Sequence, residues 1–428
     1  MTLLDRSTRA PCVNPIDDII PEARQRARSR RLKVGFFLSV LASVIAVLIL
    51  GGVIAGGGPP RVHTNETRPG EVLPLAPGAQ LGASSVVALQ MFNLSAGVGI
   101  SSTWSNESFS ANRSYLTETA SSGSRWRVLG QLPEPTDYPL MLFMSPSEGY
   151  VADGSSLLFT RDRGRSWSTV AVAGPTQSLT DSKGTIWAMS NSCANQAAQT
   201  GVCTTVLNVL RPGALTPISA RPVPSIPSAA WKPYPAGGAP KLTATLLARI
   251  SPSSGVAVEG SDGPNSLLMT IDSGRRWSQL SDPCGQLTVG SMVAFNAARW
   301  DIFCSQGGGM MQATNRLFAT SDGGKDWSLL AYGNQDGSIG GTLGDGYLSN
   351  FGASADGRIL WYTAEVGFMN VSTDGGRTWR YPTPNLTDGW DWGHFVVVGH
   401  SAWLAMADGG LVHTTNGVNW MPMTSGSR

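Results

Sequence analysis

Three stretches of the chain concentrate aromatic side chains or carboxylates: 229–240 has Trp231 and Tyr234 among prolines, whereas 334–347 and 387–394 contain aspartates beside aromatic residues. Aromatic rings beside carboxylates suit recognition of sugars or peptides, because the rings offer flat apolar surface and the carboxylates accept hydrogen bonds. The alternative is that Trp390 and Trp392 only cover a packed interface. The candidate ligand-binding residues are Trp231, Tyr234, Asp336, Asp345, Asp388, Trp390, Asp391, Trp392 and His394.

The same carboxylates leave an enzymatic alternative open. Glycoside hydrolases place two carboxyl groups about 5–10 Å apart across the bond they cleave, and Asp388, Asp391 or Asp345 would supply such a pair. No other catalytic centre is indicated, since the chain has only four histidines, no Gly-x-Ser-x-Gly elbow and no phosphate-cradling loop. The sequence therefore leans towards a protein without enzymatic activity. It predicts no cofactor and no metal, with Ca²⁺ held by the Asp-Gly turns as a less favoured alternative.

A repeated motif, Ser/Thr-x-Asp-x-Gly-x-x-Trp, alternates with these stretches and is here called the turn motif. Its complete copies occupy 160–167, 270–277, 320–327 and 372–379. Two weaker copies lie at 119–126, with Ser121 in the Asp position, and at 414–420, with Asn416 and one residue fewer. The hairpins that this motif closes are the elements expected to position the candidate ligand-binding residues.

Elementary chemistry predicts a structural part for the turn motif. Glycine at its fifth position allows a positive φ where the chain reverses. The Ser/Thr hydroxyl and the Asp carboxylate can accept turn N–H bonds, and the Trp ring buries a surface worth about 2–3 kcal/mol. The predicted structural residues are Asp162, Gly164, Trp167, Asp272, Gly274, Trp277, Asp322, Gly324, Trp327, Asp374, Gly376 and Trp379.

Short apolar runs separated by Gly, Ser and Asp accompany the motif copies and indicate β-hairpins. Trp-to-Trp separations of 41, 50, 52 and 41 residues match the four-stranded blades of a β-propeller. The separation from Trp167 to Trp277 is 110 residues and includes strand-like runs at 184–189 and 204–210. We therefore expect a blade without the motif there. The predicted fold is an all-β, seven-bladed β-propeller, with six blades and a long insertion as the alternative.

The complete copies of the turn motif resemble Asp-box (BNR) repeats, over roughly residues 85–424. Such repeats occur in sialidases, the sortilin-type receptor domain, certain glycoside hydrolases and photosystem II assembly factors. The resemblance implies that the motif lies at the periphery of each blade, far from the ligand site, so that it implies the fold and not the function. The chain lacks the Arg-Ile-Pro motif with which sialidases usually open their first blade, and it is about half as long as the hydrolases with paired propellers.

Composition and charge agree with an exported all-β protein. The chain has 51 Gly, 27 Pro and 14% charged residues, and it lacks long helix-forming runs. Residues 1–33 carry a net charge of +4 and the remainder −2. The remainder therefore lacks the excess of basic residues that indicates binding to nucleic acid. The uncharged segment 34–55 is long enough to cross a bilayer, and its basic N-terminal flank predicts that 1–33 stay in the cytoplasm. An uncleaved anchor is favoured over a cleaved signal peptide.

Cysteine usage predicts the same compartment. Cys193, Cys203, Cys284 and Cys304 form an even set in the exported part, where disulfides persist. Sequence proximity favours the pairs Cys193–Cys203 and Cys284–Cys304, although four cysteines allow three pairings.

The sequence predicts four segments: a cytoplasmic basic tail (1–33), a transmembrane helix (34–55), a Gly/Pro-rich spacer (56–83) and the propeller (84–428). The predicted protein is a single-pass plasma-membrane protein whose propeller lies on the extracytoplasmic side. We expect a non-enzymatic binding or assembly scaffold for a protein or glycan ligand, bound by the loops between blades. A carbohydrate-active hydrolase and a cell-surface receptor or sensor are the alternatives.

Overall fold

A computed structural model describes most of the chain beyond residue 73. The described residues are 74–81, 85–104, 111–136, 139–153, 155–193, 203–224, 244–259, 266–308, 312–333, 343, 348–364, 368–382, 392–406 and 411–423. Within these residues no helix is long and apolar enough to cross a membrane. The predicted tail 1–33, the predicted transmembrane helix 34–55 and most of the spacer lie outside them.

The described residues form an all-β structure of seven antiparallel sheets, each a blade. Blades 1 to 3 contain β1 Gln80–Leu81, β2 Val86–Met91, β3 Gly97–Trp104, β4 Ala111–Thr119, β5 Trp126–Gln131; β6 Leu140–Ser145, β7 Glu148–Ala152, β8 Leu157–Thr160, β9 Ser168–Thr169; β10 Thr176–Ser182, β11 Thr185–Cys193, β12 Cys203–Leu210 and β13 Ser219–Pro222. Blades 4 and 5 contain β14 Ala244–Arg249, β15 Gly255–Glu259, β16 Ser266–Thr270, β17 Ser278–Gln279; β18 Thr288–Ala294, β19 Trp300–Gly308, β20 Gln312–Thr320 and β21 Ser328–Tyr332. Blades 6 and 7 contain β22 Leu348–Ala353, β23 Leu360–Ala364, β24 Phe368–Ser372; β25 Trp392–Val398, β26 Ser401–Met406, β27 Leu411–Thr414 and β28 Trp420–Pro422.

The strands follow chain order within each blade, so every blade is a meander of local hairpins. The first strand of each blade contacts the first strands of both neighbouring blades, and β2 of blade 1 contacts β25 of blade 7. The blades therefore close into a ring. Short β1 pairs with β5 at the outer edge of blade 1. The architecture is the predicted seven-bladed β-propeller.

Blades 3 and 6 depart from the repeat. Blade 3, β10–β13, fills the long interval between the first two complete motif copies, as expected for a blade without the motif. Blade 6 has three strands, and its fourth position is reduced to a bridge between Val371 and Arg380.

The hydrophobic core lies between the blades, as seven clusters that each join two successive blades. Because each blade has a neighbour on both sides, strands such as β8 and β23 are buried throughout and read as unbroken apolar runs. The Trp of each complete motif copy is half-buried against the cluster shared with the preceding blade. These residues are Trp167, Trp277, Trp327 and Trp379.

One position on the second strand of each blade lies at the interface with the next blade, and we call it the interface position. It is paired with the third-strand residue that precedes the first residue of the turn motif, or with Val209 in blade 3, which lacks the motif. Its occupants in blades 1 to 7 are Val98, Tyr150, Trp187, Val256, Asp301, Trp361 and Trp403. All seven are at most 1% exposed, and six are apolar or aromatic.

Three of the aromatic interface residues also tie their blade to the next one by a hydrogen bond. Trp361 Nε1 donates to the carbonyl of Gly417 at 2.7 Å, and Tyr150 Oη donates to that of Ala214 at 2.9 Å. Trp403 Nε1 of blade 7 donates to the Ser122 carbonyl of blade 1 at 2.8 Å. This last bond joins residues 281 positions apart and fastens the ring at its closure.

The closure bond can be tested by comparing Trp403→Phe with Trp187→Phe. Both indoles are fully buried at the interface position, but Trp187 Nε1 has no hydrogen-bond partner within the described residues. We expect Trp403→Phe to lower the free energy of unfolding by about 1–2 kcal/mol more than Trp187→Phe, because it also leaves the Ser122 carbonyl without its donor. Denaturant unfolding measures both, and equal losses would contradict a part for the bond in ring closure.

Candidate functional site

Strand direction divides the propeller into two faces. Because the strands of a blade alternate in direction, its first–second and third–fourth turns lie on one face, here called the motif face. The second–third turns and the connections between blades lie on the opposite face, here called the loop face. All copies of the turn motif are third–fourth turns, and all three predicted ligand-binding stretches are connections between blades. The two sets of residues therefore belong to opposite faces.

The turn motif is held together by its own side chains. In the first complete copy, Thr160 Oγ1 accepts the Gly164 N–H at 2.9 Å and donates to Asp162 Oδ1 at 2.9 Å. Asp162 Oδ1 also accepts the Ser166 N–H at 2.9 Å. The other complete copies repeat the bond from the glycine N–H to the Ser/Thr oxygen, at 2.8 to 3.1 Å. The Ser/Thr hydroxyl and the Asp carboxylate are therefore satisfied within the turn, without a ligand.

Both residues at the apex of the motif have a positive φ. The glycines at the fifth position lie between 73° and 90°, as their residue type predicts. The fourth position is also left-handed, with φ of 64° at Arg163 and 59° at Ser273, where the sequence offers no glycine. The left-handed conformation at the fourth position was not predicted, because residues other than glycine rarely have a positive φ.

The weaker copies use other acceptors for the same bonds. Ser121 Oγ accepts the Arg125 N–H at 3.0 Å, and Asn416 Oδ1 accepts the Asn419 N–H at 2.8 Å. A neutral oxygen in the third position is therefore sufficient to close the turn, and the carboxylate charge is not required for it.

Hydrogen bonds keep the motif carboxylates ionised. The side-chain and backbone donors of Ser166 lower the pKa of Asp162, and backbone N–H donors lower those of Asp272 and Asp322. Burial acts to raise the pKa of Asp374, but bonds from Thr378, Ser372 and Arg377 outweigh it and lower the pKa to about 2. Carboxylates with lowered pKa values cannot donate a proton at neutral pH, so these residues are unsuited to general acid catalysis.

Most of the predicted ligand-binding residues lie outside the described residues. These are Trp231, Tyr234, Asp336, Asp345, Asp388, Trp390 and Asp391. Trp392 begins β25, and His394 follows it at the end of that strand nearest the loop face. Burial lowers the pKa of the His394 imidazole to about 4, so the ring is neutral at physiological pH. Its Nδ1 has no hydrogen-bond partner among the described residues. The shared connectivity puts the ends of all three stretches on the loop face.

A disulfide stabilises one connection of the loop face. Cys284, in the connection between β17 and β18, is bonded to Cys304 of β19, with a Cα–Cα distance of 5.4 Å. This is one of the two pairs predicted from sequence proximity. Cys193 and Cys203 are direct cross-strand partners at the loop-face end of β11 and β12. A disulfide between them stays a prediction.

A cleft of about 640 Å³ opens on the motif face between blades 5 and 6. Five aspartates line it: Asp301, Asp322, Asp326, Asp356 and Asp374. Three arginines accompany them: Arg299, Arg358 and Arg377. The cleft was not predicted, although one local signal existed, namely the charge of Asp301 within the apolar run 300–304. No group of three or more metal-ligating side chains is arranged for a metal within the described part of the chain.

Asp301 is the unusual member of this cleft. It occupies the interface position of blade 5, is 1% exposed, and its Oδ2 has no hydrogen-bond partner in the described part of the structure. Burial raises its pKa to about 6, and the nearby charge of Arg299 offsets this only in part. Asp356, by contrast, has a pKa of about 2, because Ser354 Oγ, Arg358 N and His400 donate to it.

A second cleft, of about 700 Å³, lies along the outer edge of blade 1. Its carboxylate, Glu118, pairs with Arg127. The carboxylate of this cleft is therefore already partnered.

Comparison with known proteins gives no family assignment. No family model matches the chain, and no curated protein matches it. Among solved structures, the chain is similar to YCF48 from Cyanidioschyzon merolae, with 17% identity over 78% of this chain and 98% of that chain and a TM-score of 0.49. It is also similar to YCF48 bound to D1 peptide (14% identity, 80% and 97% covered, TM-score 0.48). A GH74 xyloglucanase from Xanthomonas campestris is more distant (14% identity, 80% and 68% covered, TM-score 0.34). Identities this low say nothing about ligand or activity.

The buried carboxylate predicts a pH dependence of stability. Because the folded pKa of Asp301 is raised from 3.8 to about 6, the folded chain binds this proton more tightly than the unfolded chain does. The contribution of Asp301 to the free energy of unfolding therefore falls as pH rises from about 4 to about 6, by on the order of 2–3 kcal/mol.

Asp301→Asn removes this titration. We expect the variant to gain stability relative to the unmodified protein as pH rises through that window, with no further change in the difference above it. Denaturant unfolding at pH 4 to 8 measures the difference, with the exposed cleft residue replaced in Asp326→Asn as control. A difference that does not vary with pH would show that Asp301 is not a buried, unpaired carboxylate.

Proposed function

We propose that this protein is a membrane-anchored scaffold whose extracytoplasmic propeller binds a protein partner on its loop face. The single observation that carries the proposal is the asymmetry of the two faces. The longest connections between blades are 223–243, 333–347 and 381–391, and all three begin and end on the loop face. On the motif face, by contrast, every turn between described strands is short, with two to eight residues.

This asymmetry is what a binding scaffold requires. Packed interfaces between blades make the ring a rigid frame, and rigid frames commonly position variable loops for recognition. The three long connections contain the candidate residues, from Trp231 to Asp391. Tryptophan and tyrosine are enriched at the centres of protein interfaces, because they bury a large area with few rotatable bonds. A glycan remains the alternative ligand class.

The described carboxylates favour binding over hydrolysis. Four of them are tied into the turns of the motif by hydrogen bonds, and Asp301, with its raised pKa, is a buried residue on the motif face. A hydrolase needs one carboxylic acid and one carboxylate on either side of a substrate. We therefore assign the turn motif to the Asp-box class, with a structural part in each blade that carries it.

The anchor and the compartment are part of the proposal. The uncharged segment 34–55 follows a basic flank, which favours a single span with the propeller outside. The Cys284–Cys304 disulfide is in accord with this location, because disulfides persist outside the reducing cytoplasm.

The proposal is tested by capturing the full-length protein from its own membrane fraction in detergent and identifying what accompanies it. We expect one protein partner at a stoichiometric ratio, and we expect Trp390→Ala with Asp391→Ala to reduce its recovery at least tenfold. Met421→Ala is the matched control, because Met421 is an exposed apolar residue on the outermost strand of blade 7. A deletion of 34–55 should release the protein from membranes washed at alkaline pH.

Three outcomes would refute parts of this account. Recovery of the partner that is unaffected by the loop substitutions would place binding elsewhere on the molecule. Capture of glycans alone, with their cleavage abolished by Asp391→Asn, would favour the hydrolase alternative. Retention of the deletion variant on washed membranes would show that 34–55 is not the anchor.

A further inference from the structure

The interface position is held by an aromatic residue or a valine in every blade except blade 5. In blades 2, 6 and 7 it is aromatic, and its N–H or O–H donates to a main-chain carbonyl in the third–fourth turn of the next blade. In blades 1 and 4 it is a valine, Val98 or Val256, and in blade 3 it is Trp187. Each of these side chains fills the space between its blade and the next.

Blade 5 breaks this pattern at two adjacent positions. Its interface residue is Asp301, and the residue paired with it across the strands is Ala319. The corresponding partners in blades 2, 6 and 7 are Phe159, Val371 and His413, all of which are larger. Asp301 and Ala319 both line the cleft between blades 5 and 6. The cleft thus lies where an aromatic residue and a partner larger than alanine fill the interfaces of blades 2, 6 and 7.

Within the described part of the chain, no side chain forms an ion pair with the Asp301 carboxylate. Its nearest cation by sequence, Arg299, donates instead to the carbonyls of Asp356 and Gly357 of blade 6, at 3.4 and 3.3 Å. The Arg299 guanidinium also lies over the Phe295 ring, 4.5 Å from its centroid. Among the described residues, no ion pair within 4.0 Å involves Asp301. A buried carboxylate without a partner is costly, and a valine at this position would avoid the cost.

The charges around the cleft favour a cationic ligand. Aspartates outnumber arginines in the lining, and Arg377 is engaged by the Asp374 carbonyl at 2.9 Å. Gly375 also lines the cleft. It holds the fourth position of the turn motif in blade 6, which in blade 1 is held by Ser122, the residue whose carbonyl accepts the Trp403 N–H. Asp301 and a turn glycine therefore both line the cleft, at the positions that hold the indole in blade 7 and its carbonyl acceptor in blade 1.

We propose that the cleft between blades 5 and 6 binds a guanidinium group, with Asp301 as its buried acceptor. A guanidinium is planar, as the missing indole is, and it offers several N–H donors and is more weakly hydrated than an ammonium. The group can come from an arginine side chain of a partner protein or from a free guanidino compound. This site lies on the motif face and is independent of the ligand proposed for the loop face.

The probes are N-acetyl-arginine amide and methylguanidinium, with N-acetyl-lysine amide for comparison. Calorimetric titration of the full-length protein at pH 7.5 should show saturable binding of both guanidino probes and at least tenfold weaker binding of the lysine probe. Binding should weaken as pH falls below about 6, because Asp301 becomes protonated.

Two substitutions at Asp301 remove its negative charge with a side chain no larger than those at the interface position of other blades, and Asp301→Val also removes the hydrogen-bond acceptor. Asp301→Asn keeps the shape, and Asp301→Val reproduces the interface residue of blades 1 and 4. Each should reduce affinity for the guanidino probes at least tenfold. The control Glu134→Gln replaces an exposed residue in the connection between blades 1 and 2 and should leave the affinity unchanged. Methyl NMR of the unmodified protein locates the site independently of any variant, and the probes should shift the Ala319 and Leu330 resonances.

Equal affinity of the unmodified protein and Asp301→Asn would overturn the proposal, as would shifts that avoid Ala319 and Leu330. No saturable binding of either guanidino probe, or no preference over the lysine probe, would also overturn it. The two sources of the guanidinium group are distinguished by capturing this protein from its membrane fraction and washing it with methylguanidinium. A protein released from the unmodified chain and not retained by Asp301→Asn identifies an arginine side chain, whereas a released small molecule identifies a free guanidino compound.

Discussion

The whole structure depends on apolar packing between neighbouring blades. A blade in a closed ring has a neighbour on each side, so both surfaces of its sheet must be apolar, and the core becomes seven clusters between blades. The ring is complete only when blade 7 packs on blade 1, through Trp403, Leu411, Val86 and Trp126. This last interface joins the two ends of the propeller sequence, so the stability of every blade depends on it.

The turn motif serves this packing by closing each hairpin with its own hydrogen bonds and presenting a Trp ring to the preceding blade. A turn that satisfies its own polar groups leaves little chemistry for a ligand, which separates the motif from the site of function. The loop face differs, because its connections vary in length and carry the aromatic and acidic residues. Asp301 is the exception on the motif face, since a charge there replaces apolar packing and makes no ion pair with any described residue.

Repetition made the fold predictable from the sequence. The regular spacing of the motif predicts the blades, and the interval of 110 residues between Trp167 and Trp277 accommodates the blade that lacks it. The interface position was not predicted, because it is defined by cross-strand register and by contact with the next blade, neither of which leaves a local pattern. The cleft at Asp301 was missed for that reason. For the loop face, residue types indicate the chemistry of binding, but the relative placement of Trp231, Asp345 and Trp390 depends on contacts between distant segments.

The central claim is that the motif face holds the ring together while the loop face binds the partner. Hydrogen–deuterium exchange of the full-length protein, alone and with its captured partner, tests it most directly. The account predicts slower exchange on binding in peptides covering 225–243, 334–347 and 383–391, and unchanged exchange in the motif turns 160–167, 270–277 and 372–379. Protection confined to the motif turns, with the three connections unaffected, would contradict it.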